Sequence, residues 1–241
     1  MKLLLENWRR YLKENVDTSQ LTPELIGTVI KKYGKWFKGK EEIDTSGIKD
    51  PNERAVIDSI MLFTSRNVGS VRDPEKFDLE KAGKLRGQQI TKDMYLIANH
   101  VIRILATMEN PFGPADIWRG MGLPQALVNN MMLGKIKDFD LGSISSWTTN
   151  KHMGVAFALL GGGDGLKPGE VPVLFYIKKS PYGIPISALS GYKSEEEYLL
   201  GGKIIVDNIQ QAEYDSTSNP EMEKHFGGER FPIYEVSAQY K

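Results

Sequence analysis

The chain has 241 residues, no cysteine and a formal charge of zero, with 31 Lys and Arg against 31 Asp and Glu. The missing cysteines exclude disulfides, thiolate nucleophiles and zinc–thiolate sites, and the balanced charge gives no net field to draw in nucleic acid or an anionic membrane. A hydrophobic share of 40% allows one large domain with a true core, and no apolar run nears the roughly 20 residues that span a bilayer. Met1 to Glu14 lacks the apolar stretch and small-residue cleavage site of a secretory signal. A soluble, intracellular protein is therefore expected.

Met1 to Asn15 reads as an amphipathic helix, with Leu4, Trp8, Tyr11 and Leu12 along one side. It either packs on the domain or serves as a detachable docking peptide. Thr22-Pro23-Glu24 predicts a helix start, Thr22 capping and Pro23 in the first turn. Leu25, Ile26, Val29, Ile30, Tyr33 and Phe37 then supply the apolar face. Gly39 to Asn52 is polar and turn-rich and reads as a link. The expected division is a helical extension over residues 1–50 and a main domain over 51–241.

Within that domain, Ala55 to Phe63 predicts a helix, Phe77 to Gly87 is ambiguous, and Asp93 to Glu109 predicts a longer helix. Asn110-Pro111-Phe112-Gly113-Pro114 stops it. The pattern then changes. Ile117 to Gly120 is strand-like, Leu127 to Leu133 is another apolar stretch, and Gly142 to Thr149 reads as a strand rich in Ser and Thr. A short helix over Lys151 to Leu160 leads into the glycine loop Gly161 to Gly165, read as a surface loop able to lid a cleft. Val171 to Ile177 predicts a buried strand, and Ile204 to Ile209 and Ile233 to Val236 further strands. Helices first and strands later specify an α+β fold.

The densest chemistry lies in Ser194-Glu195-Glu196-Glu197-Tyr198-Leu199-Leu200. If a strand runs through it, alternation puts Glu195 and Glu197 on one face, with Glu196, Tyr198 and Leu200 on the core side. Two carboxylates on one face can divide the work of stabilising a cation and handling a proton. Taken alone, the segment reads first as a solvated acidic turn before an edge strand. The rest of the chain offers no competing machinery. His100, His152 and His225 have no metal-ligand spacing, and the glycine loop follows a helix where a phosphate loop would follow a strand.

Trp118-Arg119-Gly120, Ser146-Trp147-Thr148 and Glu195-Glu196-Glu197, in that order, resemble the Arg / Ser-x-Ser / Glu-x-Glu set of mono-ADP-ribosyltransferases, enzymes of bacterial toxins, bacteriophages and vertebrate ectoenzymes. The flanks agree: Gly154-Val155-Ala156-Phe157 follows the second motif, with Gly where the family has Ala, and Tyr198-Leu199-Leu200 follows the third. The resemblance covers roughly residues 55 to 240 and implies a split, mostly antiparallel β core clamping NAD as co-substrate, with no metal. It implies that Arg119 and Gly120 meet the pyrophosphate, that the Ser146 hydroxyl orients a carboxylate, and that Phe157 walls the nicotinamide pocket. It makes Glu197 the catalytic carboxylate beside the ribose. It gives Glu195 the acceptor, an arginine when this position is Glu, and makes Tyr192 a further acceptor contact.

The residue types suit those roles. A guanidinium pairs bidentately with phosphate oxygens, and a carboxylate stabilises a ribosyl cation. Each also has a plainer reading: a surface ion pair for Arg119, an ordinary strand serine for Ser146, core packing for Phe157 and Trp147, a structural role for Thr148. Met1 to Glu14 is similar to leader segments of T-even-like bacteriophage proteins, and Leu12-Lys13-Glu14 fits their Leu-x-Glu processing pattern. That similarity implies packaging in a virion and a protein target in the host transcription or translation machinery, with nucleic acid not a direct partner. Three readings stay open: transfer of ADP-ribose to a protein, hydrolysis of NAD, and a phage protein that keeps the fold without catalysis.

Overall fold

The structure is a computed structural model that describes residues 16–33, 47–64, 84–85, 88–142, 144–161, 165–187 and 196–241. The helix read over Met1 to Asn15 and the position of Phe37 lie outside the described residues. Helix α1 (Pro23–Tyr33) starts where Thr22 Oγ1 accepts the Leu25 N–H at 3.3 Å. Helix α2 (Pro51–Phe63) is capped by Asp50, whose carboxylate accepts from Asn52 and Glu53 at 2.8 and 3.1 Å. Asp50-Pro51-Asn52, read in sequence as the end of a link, is thus the beginning of a helix. Asp-Pro serves a turn and a helix N-terminus equally well, and only the apolar period after it separates the two. A two-residue hairpin, β1 (Lys84–Leu85) and β2 (Gln88–Gln89), precedes α3 (Lys92–Thr107), which Thr91 caps.

Ten strands and six helices among the described residues make the fold α+β. After α3 come β3 (Ala115–Pro124), α4 (Gln125–Met132), β4 (Asp138–Asp140), β5 (Ser145–Thr148), α5 (Lys151–Leu159), β6 (Glu170–Ser180), β7 (Ile184–Pro185), β8 (Glu197–Leu200), β9 (Lys203–Asp215), α6 (Pro220–Phe226) and β10 (Arg230–Tyr240). Eight strands form a sheet in the order β4-β9-β10-β6-β3-β5-β8-β7. All neighbours are antiparallel except β10 and β6. The sheet is split. β3 follows β6 along almost its whole length, but its register with β5 is one pair, Trp118 with Thr148. Five strands therefore lie on one side of this seam and three on the other.

Three apolar clusters hold the parts together. Ile26, Val29 and Ile30 of α1, Val56, Ile57 and Ile60 of α2, and Val101, Ile102 and Leu105 of α3 share one core with Ile184 and Leu199 of the three-stranded part. Ile117, Val173, Phe175, Trp147, Leu200 and Val236 form a second core, closed by Val128 and Met131 of α4. Leu127 to Leu133, met among strand-like runs in the sequence, is largely helix α4, which covers one sheet face. On the other face α5 and α6 meet Leu174, Tyr214 and Ile233 through Val155 and Met222. Among the described residues no helix is long and apolar enough to cross a membrane.

The α5 layer touches the sheet through two glycines. A Cβ on Gly120 would stand 1.9 Å from the Gly154 carbonyl oxygen and 2.2 Å from the Ala158 nitrogen. A Cβ on Gly154 would stand 3.0 Å from the Trp118 Cβ and 2.9 Å from a Leu174 methyl. Gly154, where the related motif has Ala, is thus explained by Trp118 beneath it. Because backbone cannot rotate away, Gly120→Ala must push α5 off the sheet. The expected loss is at least the roughly 1–3 kcal/mol of overpacking, read by urea denaturation. A variant as stable as the parent would mean that α5 does not lie against β3.

Candidate active site

Strands β3, β5 and β8 are neighbours at the seam, and they carry the three motifs. Trp118, Thr148 and Glu197 stand opposite one another in a single row across the three strands. Ser146 stands opposite Leu199, two residues along β5, on the same face as Thr148 and Glu197. Arg119 lies one residue past the row, where β3 and β5 diverge. Its Nη1 donates to the Ser146 main-chain carbonyl at 2.6 Å. Arg119 thus bonds to the strand that bears Ser146, and Glu197 begins the next strand across; Arg119 and Ser146 are each half-buried.

Local chemistry explains why β5 holds its place. Ser145 Oγ donates to the Leu200 carbonyl and accepts from Trp147 Nε1 at 2.9 Å, so buried hydroxyl and indole rivet β5 to β8. Trp147 is 2% exposed and Thr148 buried, in keeping with core and structural roles. Thr148 Oγ1 accepts the Asn150 N–H at 3.0 Å, and Asn150 in turn caps α5 by accepting from His152 and Met153. The strand therefore hands over directly to the helix bearing Phe157. Phe157 is half-buried, and its backbone lies on Gly120. The Asn150 cap escaped the sequence reading, although Asn ahead of a predicted helix is a readable signal.

The acid triplet departs from simple alternation. Strand β8 begins only at Glu197, and Glu196 has a positive φ of 46°. Alternation thus cannot place Glu195 relative to Glu197, and Glu195 and Tyr192 lie outside the described residues. Leu199 is buried as fully as Leu200, because the helical core covers one face of β8 and the sheet core the other. The two described acids differ sharply. Glu196 is exposed, and its carboxylate accepts from Thr149 Oγ1 at 2.5 Å. Glu197 is only 9% exposed, a costly place for a carboxylate and a poor fit to a solvated turn. Beside it, burial pushes the Tyr198 phenol up, so this side chain stays a neutral O–H at physiological pH.

Two cavities lie elsewhere. One of about 310 Å³ between α5 and α6 is lined by Met153, Ala156, Leu160, Met222 and Phe226. A more open one of about 520 Å³ lies along α3 at His100, Arg103 and Asp140. Neither is lined by Arg119, Ser146 or Glu197. His152 packs against Tyr214, with Nδ1 and the phenol oxygen 2.5 Å apart. Among the described residues no three His, Asp or Glu side chains are grouped to hold a metal ion.

No family model matches the chain, and no curated protein matches it. Among solved structures it is similar to the ADP-ribosyltransferase Vis of Vibrio splendidus in complex with agmatine, with 16% identity, 90% of this chain and 86% of that one covered, and a TM-score of 0.48. It is similar to the ADP-ribosyltransferase HopU1 of Pseudomonas syringae pv. tomato DC3000, at 14% identity, 88% and 87% coverage and a TM-score of 0.44. A third such structure is Plx2a, an ADP-ribosyltransferase toxin from Paenibacillus larvae, at 18% identity, 89% and 96% coverage and a TM-score of 0.44.

The Arg119 bond to the Ser146 carbonyl crosses the seam beside its one registered pair, so the side chain has a structural duty whatever it binds. Arg119→Met is expected to lower the unfolding free energy by about 1.5–3 kcal/mol, the range for hydrogen bonds to charged groups. Arg119→Lys should recover only part, since a lysine lacks the planar fork. Unchanged stability in both would show that the bond is not made in solution.

Proposed function

We propose that the protein transfers ADP-ribose from NAD to an arginine side chain of a target protein, releasing nicotinamide. One observation supports this reading: an arginine, a serine and a buried glutamate, far apart in the chain, lie on three neighbouring strands beside the seam of the split sheet. The donor set suits a dinucleotide. A guanidinium presents five N–H donors in a rigid fork, so Arg119 can serve both the Ser146 carbonyl and a pyrophosphate oxygen. Gly120 lets helix α5 lie directly on β3, and that helix carries the flat apolar ring of Phe157.

The chemistry follows from the acids. The bond between nicotinamide and the ribose C1′ breaks with both electrons leaving on nicotinamide, which departs neutral. The ribose is left with oxocarbenium character. A carboxylate held by β8, on the face it shares with Ser146, stabilises that charge without having to reorganise, and this is the role of Glu197. An arginine acceptor is protonated at neutral pH, so it must lose a proton before its nitrogen can attack C1′. Glu195 takes that proton. The Glu at this position favours an arginine acceptor over water, which needs no such partner.

Incubation with labelled NAD and a cell lysate, followed by mass spectrometry of the labelled residue, tests the reading directly. Glu197→Gln should cut both nicotinamide release and labelling by about 10²–10³-fold, the usual cost of one preorganised electrostatic group, with the thermal melt preserved. Glu195→Gln should abolish labelling of protein while NAD is still cleaved to free ADP-ribose. A parent protein that labels nothing and releases no nicotinamide would end the proposal.

A further inference from the structure

Glu196 stands between two residues given chemical roles and has been assigned none. Its φ of 46° lies in the left-handed region, which a residue with a Cβ adopts only when its surroundings impose it. Thr149 Oγ1 donates to the Glu196 carboxylate at 2.5 Å, and the Thr149 N–H donates to the Glu196 carbonyl at 3.4 Å. Thr148 with Glu197 is the last registered pair of β5 and β8, so Thr149 and Glu196 form the step just beyond it. The ladder does not fray there but is closed by one side chain and one backbone bond.

We propose that Thr149 is a positioning residue for Glu197, acting through Glu196. Glu197 is the first residue of β8, and a strand's terminal residue is ordinarily its least restrained. Its carboxylate must nevertheless be held buried and aimed. Thr149 supplies the restraint from a fixed base. On one side it continues β5, whose Ser145 and Trp147 are tied to Leu200 and to each other. On the other side it precedes Asn150, the cap of α5. The clip therefore ties the start of β8 to the strand bearing Ser146 and the helix bearing Phe157. It also accounts for an acid at the middle position. A carboxylate accepts a short bond from a hydroxyl, whereas the glycine that would suit this φ could not. The strained conformation is the cost of reaching Thr149.

This inference rests on the transferase reading for its kinetic consequence, but its structural half can be read without any activity. Thr149→Val keeps the shape and the backbone bond while removing the hydroxyl. Amide hydrogen exchange across residues 196–200 should become faster in Thr149→Val than in the parent, and Thr149→Ser should restore protection. In turnover assays Thr149→Val should lower kcat for nicotinamide release about tenfold, the weight of one hydrogen bond to a charged group. KM for NAD should stay unchanged and the Ser variant should recover the rate.

Glu196→Gly separates positioning from general stability. It relieves the left-handed strain, so the melting temperature should hold or rise, while kcat and β8 protection still fall. Unchanged exchange in Thr149→Val overturns the clip whether or not the parent cleaves NAD. Faster exchange with an inactive parent preserves the clip and defeats the transferase reading instead. Full turnover by Glu196→Gly, in an active parent, shows that the middle carboxylate positions nothing.

Discussion

The structure depends on a seam that is nearly open. One registered pair, Trp118 with Thr148, joins β3 to β5, and one charged hydrogen bond from Arg119 to the Ser146 carbonyl crosses beside it. A continuous sheet would satisfy every backbone group at this point and leave no place for a ligand. A complete break would separate the five-stranded part from the three-stranded part. The single pair and the guanidinium together allow polar groups of three strands to converge without the sheet coming apart. Arg119 is therefore bound into the architecture as well as into the proposed chemistry, and a substitution there touches both.

Everything around the seam restricts movement. Helix α5 meets the sheet with its own Gly154 over Trp118 and with Gly120 of β3 beneath it, leaving no room for a methyl group at either, so the backbone at Phe157 keeps a fixed height above β3. Buried Ser145, Trp147 and Leu200 lock β5 to β8 from within the sheet core. The helical layer of α1, α2 and α3 presses on β8 through Leu199, while Leu200 turns into the opposite core. A strand of four residues is short for the platform that the proposed chemistry needs. Covering it on both faces gives it the rigidity its length does not.

That double covering also explains how a carboxylate comes to be buried at Glu197. The side chain has little exposure to bulk water, because its neighbours along the strand anchor in two different cores. Its partners must come from the protein, and the seam is where polar groups gather. Glu196, one residue earlier, stays in solvent and bonds to Thr149. Two adjacent residues of one type thus have different surroundings, and surroundings decide what a carboxylate can do.

Much of this was legible in the sequence because it is local. Thr22 caps a helix whose apolar period follows at once, and the β-branched and aromatic run Val171 to Ile177 lies within β6. The order of Arg119, Ser146 and Glu197 could be read along the chain as well. What the sequence could not decide is whatever requires a partner from elsewhere. The Leu127 to Leu133 stretch is too short for periodicity to separate helix from strand, and contact with the sheet settles it as α4. Alternation across the acid triplet fails because Thr149, 47 residues away, draws Glu196 into a left-handed turn. The Gly in place of Ala at position 154 makes sense only with Trp118 beneath it. The parallel pairing of β10 with β6 and the row joining Trp118, Thr148 and Glu197 are long-range pairings, set by burial over the whole domain. The residues of the candidate site were written in the chain, and their placement on three neighbouring strands was decided by tertiary packing.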